Sequence, residues 1–365
     1  MIANPEYGSQ QQGGSTDEPP VEIISFEAND LSTARNLANT VVAKEISYDL
    51  LRAILVSEDL AKDSRFVRWM YDGVKDPNIR RDIRFIVTNE PVVDFFEKNK
   101  PRLEVRPHKY YELLLKRGEE TATIPKGYLN QYYRITEAGG DLFLGIYSST
   151  ERKNKPPKPG QPENNIIAGD FSYTGKTNSV IFAGSAVFKN GVMIDKLTAE
   201  ETRLATSINN TMKAADILTT MPDPLNKRYN VSLRIRSNKN THVKMDLHKA
   251  IPEIHITVPM LIDVLSTHSM INYATSTSNQ KKLKEGLEKY LEKKYDNLVK
   301  KTQKQYKAEP FGWSLEARKK FLTIPAYEAY NWPKKYPDMK VHVNVEITFG
   351  GFGRQSRIPK VKEMR

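Results

Sequence analysis

The run from residue 180 to residue 202 constrains this chain more than any other, because it encodes a tight hairpin and a helix start in one short stretch. An apolar segment over 180–188 meets Asn190-Gly191, a pair that tolerates positive φ at both centres of a type I′ turn. The chain then returns through Val192, Met193 and Ile194, which predicts a β-hairpin over 180–197. Thr198, with Glu201 three residues on, forms a capping box that satisfies backbone donors at the start of the next helix. A purely structural unit accounts for all of this without any chemistry.

A length of 365 residues is too great for one ordinary domain and points to two or three, each with its own core. No stretch approaches the roughly 18 to 20 consecutive apolar residues of a membrane span, and no leader-type segment is visible. The absence of cysteine excludes disulfides, cysteine nucleophiles and thiolate metal sites. The net charge of +12 draws the protein to polyanions: nucleic acid, anionic lipid headgroups, or nothing in particular.

Along the chain, residues 6–20 are rich in Gln, Gly, Ser and Pro and read as a mobile loop. A strand over 21–26 precedes a helix capped by Asp30, with Ala34, Leu37, Ala38, Val41 and Val42 on one face. A strand over 50–56, a helix start at Ser57, a helix over 65–73 with Phe66, Trp69 and Met70 inward, and a strand over 83–87 complete an α/β unit. The pattern over 107–137 is helical, and its tyrosines at i, i+3, i+4 spacing read as core rather than as a stacking platform. Residues 150–165, with four prolines, read as an exposed loop, and Met221-Pro222-Asp223-Pro224 as a chain break. Strands follow over 229–236, 242–247 and 254–258. The longest helical candidate covers 278–307, with an apolar stripe of Leu283, Leu287, Tyr290, Leu291 and Leu298. Ten lysines and four acids cover its remainder, and its Gly286 costs only about 1 kcal/mol against Ala. The alternation of Val341, Val343, Val345 and Ile347 predicts a closing strand over 340–348.

The wording A-G-S-A-V-F-K-N-G-V-M-I-D-K-L-T-A-E-E-T over 183–202 resembles the C subunit of bacterial spore germinant receptors, since hydrophobicity alone does not fix Gly184, Phe188 or Glu200-Glu201-Thr202. Two further places agree. Asp76-Pro77-Asn78-Ile79-Arg80 resembles the family's R-D-P-x-I-R segment, and Trp332 with Tyr336-Pro337-Asp338 and the alternating valines resembles its closing strand. The chain departs from the family in carrying Pro310-Phe311-Gly312-Trp313 where D-x-G-F-G is usual, followed by only a faint echo of P-x-W at Pro325-Ala326-Tyr327. Family members begin with a secretory signal and a lipidated cysteine. The opening Met1-Ile2-Ala3-Asn4-Pro5 fits the end of the family's first strand, so the resemblance implies that signal, anchor and strand start lie upstream; no lipidation site falls within this chain.

Few residues carry a recognisable catalytic or binding pattern. Gly175-Lys176-Thr177 invites a phosphate-loop reading, but the glycine that motif requires five residues before its second one falls on Asp170, so a turn is the better account. Six histidines offer no i, i+4 helical pair and no H-E-x-x-H; His242 and His248 share one strand parity but lack a third ligand. There is no G-x-S-x-G elbow around Ser185. Nothing demands an enzyme, a metal or a cofactor.

The expected fold class is α+β: three mixed α/β domains with largely antiparallel sheets, at 1–105, 106–224 and 225–365, the last carrying the long basic helix and the closing strand. The resemblance implies a non-catalytic subunit on the outer face of the inner spore membrane. Its partners would be a membrane-embedded A subunit, a transporter-like B subunit and the membrane surface. The candidate contact surface is Lys289, Lys293 and Lys300, which lie off the leucine stripe. Lysines without interleaved exposed aromatics or arginines argue against nucleic acid. A basic nucleic-acid-binding protein and an extracytoplasmic ligand-binding module are the competing classes.

Overall fold

The computed structural model describes residues 2–3, 21–43, 45–49, 51–101, 107–139, 141–152, 165–170, 173, 175–209, 216–236 and 239–353. The expected loop over 6–20, most of the proline-bearing stretch over 150–165 and the basic tail lie outside the described residues.

At the front, β1 (Ile2–Ala3) pairs antiparallel with β2 (Val21–Glu22), so the strand expected over 21–26 is only two residues long. Helix α1 (Leu31–Asn39) starts where its cap predicts, the Asp30 carboxylate accepting the Thr33 N–H at 2.7 Å. Its packing is looser than the spacing suggests, because Leu37 and Val41 are exposed and only Ala38 is buried.

The chain continues through β3 (Ala53–Ser57), α2 (Glu58–Lys62), α3 (Phe66–Lys75), β4 (Arg84–Thr88), α4 (Val92–Lys98), α5 (Pro107–Glu120), α6 (Leu129–Ala138), β5 (Leu142–Ser149), β6 (Ile181–Lys189) and β7 (Val192–Leu197). These five strands form one sheet in the order β3-β4-β5-β6-β7. The first three run parallel, which requires crossover connections; α2 with α3, and α4 to α6, supply them. The division expected after residue 105 therefore needs correction. Strands β4 and β5, from either side of it, are hydrogen-bonded neighbours, and residues 53–197 share a sheet.

One face of that sheet packs an aromatic knot. Phe85, Phe143 and Phe188 from the strands meet Phe66 of α3 and Tyr132 of α6, with ring centroids 5.2–6.3 Å apart. The α6 tyrosines are core, as their spacing predicts: Tyr132 donates to the Gly191 carbonyl at 2.7 Å and Tyr133 to that of Met70 at 2.6 Å. Trp69, expected inward beside Phe66, is instead 46% exposed, and Leu113 of α5 also faces water.

The hairpin forms as read. Asn190 and Gly191 have φ of 52° and 80°, both positive as a type I′ turn demands. Gly184, at φ 87°, passes so close to β7 that an added Cβ would fall on the Leu197 carbonyl. The Gly175-Lys176 bend leads into β6, not into a helix, so no helix N-terminus stands ready for a phosphate.

Past the hairpin come α7 (Ala199–Ile208), β8 (Ile217–Pro222), β9 (Asn230–Arg236), β10 (His242–Asp246), β11 (Glu253–Thr267), α8 (Thr277–Lys301), a π-helical turn over Thr302–Tyr306, α9 (Trp313–Arg318), α10 (Ile324–Tyr330), α11 (Trp332–Lys335) and β12 (Lys340–Gly351). The capping box at α7 closes in both directions, Thr198 N–H to Glu201 at 3.0 Å and Glu201 N–H to Thr198 at 3.2 Å. Strand β11, expected to stop at 258, runs on to Thr267 and organises the second sheet. Along one edge it meets β10 and then β9, both antiparallel, and along the other it meets β12 in parallel. Strand β8 pairs with β9, so it belongs to this sheet and not to the middle unit, which moves the boundary expected at 224. Pro222 ends β8 on an edge, where its missing N–H is harmless. Asp223 is a buried hub that accepts hydroxyl donors from Tyr273 at 2.6 Å and Ser269 at 2.5 Å.

Helices and mixed sheets thus build more than one domain, with most strand pairs antiparallel. A continuous apolar core runs from Leu142 and Val187 of the first sheet through Leu204 and Ile208 of α7 to the inner faces of β9, β11 and β12.

Candidate contact face on the long helix

Helix α8 begins at Ser276, whose hydroxyl accepts the Asn279 N–H at 3.3 Å. Its inner stripe, Leu283, Leu287, Leu291, Tyr295, Leu298 and Val299, is buried on the second sheet. Gly286 does more than survive in the helix: an added Cβ would collide with the Pro224 ring, so the absent side chain lets α8 close onto the turn after β8. Sequence reasoning priced that glycine by propensity and missed the contact.

The two flanks of α8 carry opposite charge and both are engaged. On one side, Glu288 and Glu292 accept the backbone N–H groups of Ile347 at 2.9 Å and Val345 at 3.1 Å along the free edge of β12. On the other, Lys294 reaches Glu200 at 3.0 Å and Lys301 reaches Glu201 at 2.9 Å, joining α8 to the first turn of α7. Burial works against the charged Lys294 ammonium, but its hydrogen bond to Glu200 and that carboxylate's charge outweigh this and hold its pKa above the usual lysine value. The Glu200-Glu201-Thr202 run therefore has a physical reading: two acids bind α8 while Thr202, buried, bonds Ser185 of β6 at 2.7 Å.

Lys289, Lys293 and Lys300 point away from both flanks and are exposed. At 100° per residue they fall within about 40° of arc. They have no ion pair or hydrogen bond to other described residues. Asp296 and Glu285, the latter 4.0 Å from Lys281, lie within about 40° of the edge of this arc, so the outward face is mixed rather than purely basic. No arginine lies on α8, and its aromatics Tyr290 and Tyr295 are turned toward the sheet side.

Beside Tyr290 and Tyr295 a cleft opens between α7, α8 and the second sheet, enclosing about 720 Å³ with its open mouth. Leu204, Met221 and Met260 make its walls apolar, and Arg203 lies in it. Burial pushes the Arg203 guanidinium pKa down to about 10, opposed by the Glu200 charge, and its Nε donates to the Thr121 carbonyl at 3.3 Å.

A second polar cluster lies in the Pro310-Phe311-Gly312-Trp313 loop that departs from the family pattern. Glu309, fully buried, accepts the N–H groups of Phe311 at 2.5 Å and Ser314 at 2.8 Å. Its backbone carbonyl takes the Leu142 N–H at 2.9 Å, and the Ser314 hydroxyl donates to Asp141. This pair ties the start of β5 to the segment before α9. Burial, and for Glu309 also the charge of Asp141, push both carboxyl pKa values up, against the pull of the amides and of Ser314. Nothing in the spacing of residues 141 and 309 announces the pair, because only the fold brings them together.

Among the described residues no group of three or more His, Asp or Glu side chains is placed to hold a metal ion. His242 lies in β10 and His248 beyond its end; His255 and His342 instead stack across β11 and β12 with centroids 4.9 Å apart. No helix among the described residues is long and apolar enough to cross a membrane.

A family model described as spore germination B3/GerAC like, C-terminal, matches residues 183–353, and one described as spore germination protein N-terminal domain matches residues 1–149. The putative spore germination protein YfkR of Bacillus subtilis (strain 168) is 21% identical over 339 residues, covering 92% of this chain and 80% of its own. Spore germination protein KC of the same organism is 25% identical over 366 residues, covering 95% of this chain and 83% of its own. The crystal structure of the GerBC protein is similar in fold, with a TM-score of 0.57 at 15% identity over 86% of this chain and 83% of that one. The two models together match residues 1–149 and 183–353, most of the chain, and the chain belongs to the GerAC-like family of spore germination proteins.

Proposed function

We propose that this chain is the non-catalytic C subunit of a nutrient germinant receptor, acting in spore germination through contacts with protein and membrane surfaces. The observation that carries this reading is the pair of family matches, set on a fold whose outward helix arc offers three lysines without partners among the described residues. In this reading the partners are a membrane-embedded A subunit and a transporter-like B subunit. The protein sits on the outer face of the inner spore membrane as a lipoprotein. The lysine arc supplies non-selective attraction to acidic protein or lipid surfaces, and lacks the arginine forks and exposed aromatics that nucleic-acid recognition uses.

The test reverses Lys289, Lys293 and Lys300 to Glu together. The expected outcome is an unchanged fold with weaker co-purification of the membrane subunits and weaker binding to anionic vesicles. Normal assembly and normal vesicle binding would make the arc ordinary surface, and loss of tight, sequence-dependent DNA binding would favour a nucleic-acid protein instead. The apolar cleft beside Arg203 favours a second reading, an extracytoplasmic ligand-binding module; a rise in melting temperature with small organic anions would support it.

A further inference from the structure

Between α9 and α11 the chain holds apolar side chains out into water. Leu322 is 104% exposed, and Ile324, two residues on, is 55% exposed. Helix α10 reads Ile-Pro-Ala-Tyr-Glu-Ala-Tyr, with Glu328 its one charge, yet none of its residues is buried. Tyr327 and Tyr330 are partly buried against the core, whereas Leu322 and Ile324 take no part in it. The tip is nonetheless firmly rooted. Phe321 packs on the rings of Tyr327 and Tyr330 at 5.6 and 5.1 Å, and the Lys335 ammonium lies 3.9 Å over the Tyr330 ring. Thr323 caps α10 by accepting the Ala326 N–H at 3.3 Å, and Trp332 of the next helix is buried. Leu322 and Ile324 are therefore held outward by the packing of their neighbours.

The charge around this tip is one-sided. Arg318, Lys319 and Lys320 precede it and Lys334 and Lys335 follow it, against Glu328 within the same segment. Just outside it, Glu316 bonds Lys319 at 2.8 Å. Arg318, Lys320 and Lys334 are exposed.

We propose that residues 318–330 form a membrane-contact tip, which seats Leu322 and Ile324 at the headgroup–acyl boundary of an anionic bilayer while Arg318, Lys319 and Lys320 meet lipid phosphates. Single exposed aliphatic side chains beside contiguous cations suit a deformable, negatively charged surface. A protein partner of fixed shape would need a pocket for each. The proposal deepens the membrane-surface contact of the reading above, and it assigns that contact to residues outside α8.

The experiment uses the full chain in co-sedimentation with vesicles of phosphatidylglycerol in phosphatidylcholine, and with phosphatidylcholine alone. Wild type is expected to bind the anionic vesicles, and Leu322→Glu with Ile324→Glu to weaken that binding about tenfold or more. The melting temperature should stay put, since neither side chain is buried. Leu322→Trp should keep binding, with indole fluorescence shifting to the blue on anionic vesicles beyond any wild-type change. Arg318→Glu with Lys320→Glu should weaken binding most at low salt. Undiminished binding of the Leu322/Ile324 variant, or no blue shift for Leu322→Trp, would overturn the proposal. So would a Leu322/Ile324 variant that loses only co-purification with the membrane subunits, which would make the tip a protein-docking site. Failure of wild type to bind vesicles would also overturn it, while the receptor-subunit reading is judged separately by co-purification.

Discussion

The carboxylate of Glu292 on α8 accepts the backbone N–H of Val345 in β12 at 3.1 Å, and Glu288, one turn earlier, does the same for Ile347. Among the described residues β12 pairs only with β11, so its outer row of donors is a template for another chain unless it is covered. Two glutamates at i, i+4 on a helix lying against the edge match the two-residue repeat of those donors. Glu288→Ala with Glu292→Ala should lower stability by about 2 kcal/mol, at roughly 1 kcal/mol per partly exposed hydrogen bond, and should raise self-association. Urea midpoints and light scattering check this; a variant that matches wild type in both would show that the edge is protected some other way.

Asp141 and Glu309 give the protein a pH dependence opposite to that of ordinary paired carboxylates. Their folded pKa values are raised, so the folded state keeps protons that the unfolded chain releases in the usual carboxylate range near about 4. The contribution to stability is full below that range and is lost as pH rises through the elevated folded values. The melting temperature is expected to fall between about pH 5 and 8, and the fall should be shallower in Glu309→Gln, which has no proton to lose. A variant slope as steep as that of wild type would assign the effect to other groups.

Phe188 sits 1% exposed at the centre of the aromatic knot. Phe188→Ala should cost about 3 to 5 kcal/mol, as large-to-small core changes do. Gly191→Val should also destabilise, because a β-branched residue resists the positive φ of the turn and its Cβ would meet Val67, Thr136 and Tyr132. Unfolding midpoints left unmoved in both variants would contradict the packing of this hairpin.

Local chemistry was legible from the residues. Asp30, Ser57 and Thr198 each announce a helix start because a short polar side chain reaches donors only two or three residues away. The leucine stripe of α8 and the alternation of β12 were readable for the same reason, since each is a periodicity within one element. The failures have a common cause. Trp69 and Leu113 lie where helical spacing predicts burial, yet both are exposed, because periodicity records only which residues share a face and not what packs against it.

The candidate site divides along the same line. The sequence by itself determined that α8 is lysine-rich around a leucine stripe, that residues 183–202 form a capped hairpin, and that the chain resembles spore germination proteins. Only the tertiary structure decided what each charge does: Lys294 and Lys301 bind α7, Glu288 and Glu292 cover β12, and Lys289, Lys293 and Lys300 are left exposed without partners among the described residues. It also decided that β4 pairs with β5 across the expected domain boundary, that Asp141 meets Glu309, and that Leu322 is left standing in water. Turn and cap preferences are settled by atoms a few residues apart. A charge, a glycine or a strand edge acquires its role from whichever distant surface folding brings against it, and a side chain reads the same in sequence before and after that surface arrives.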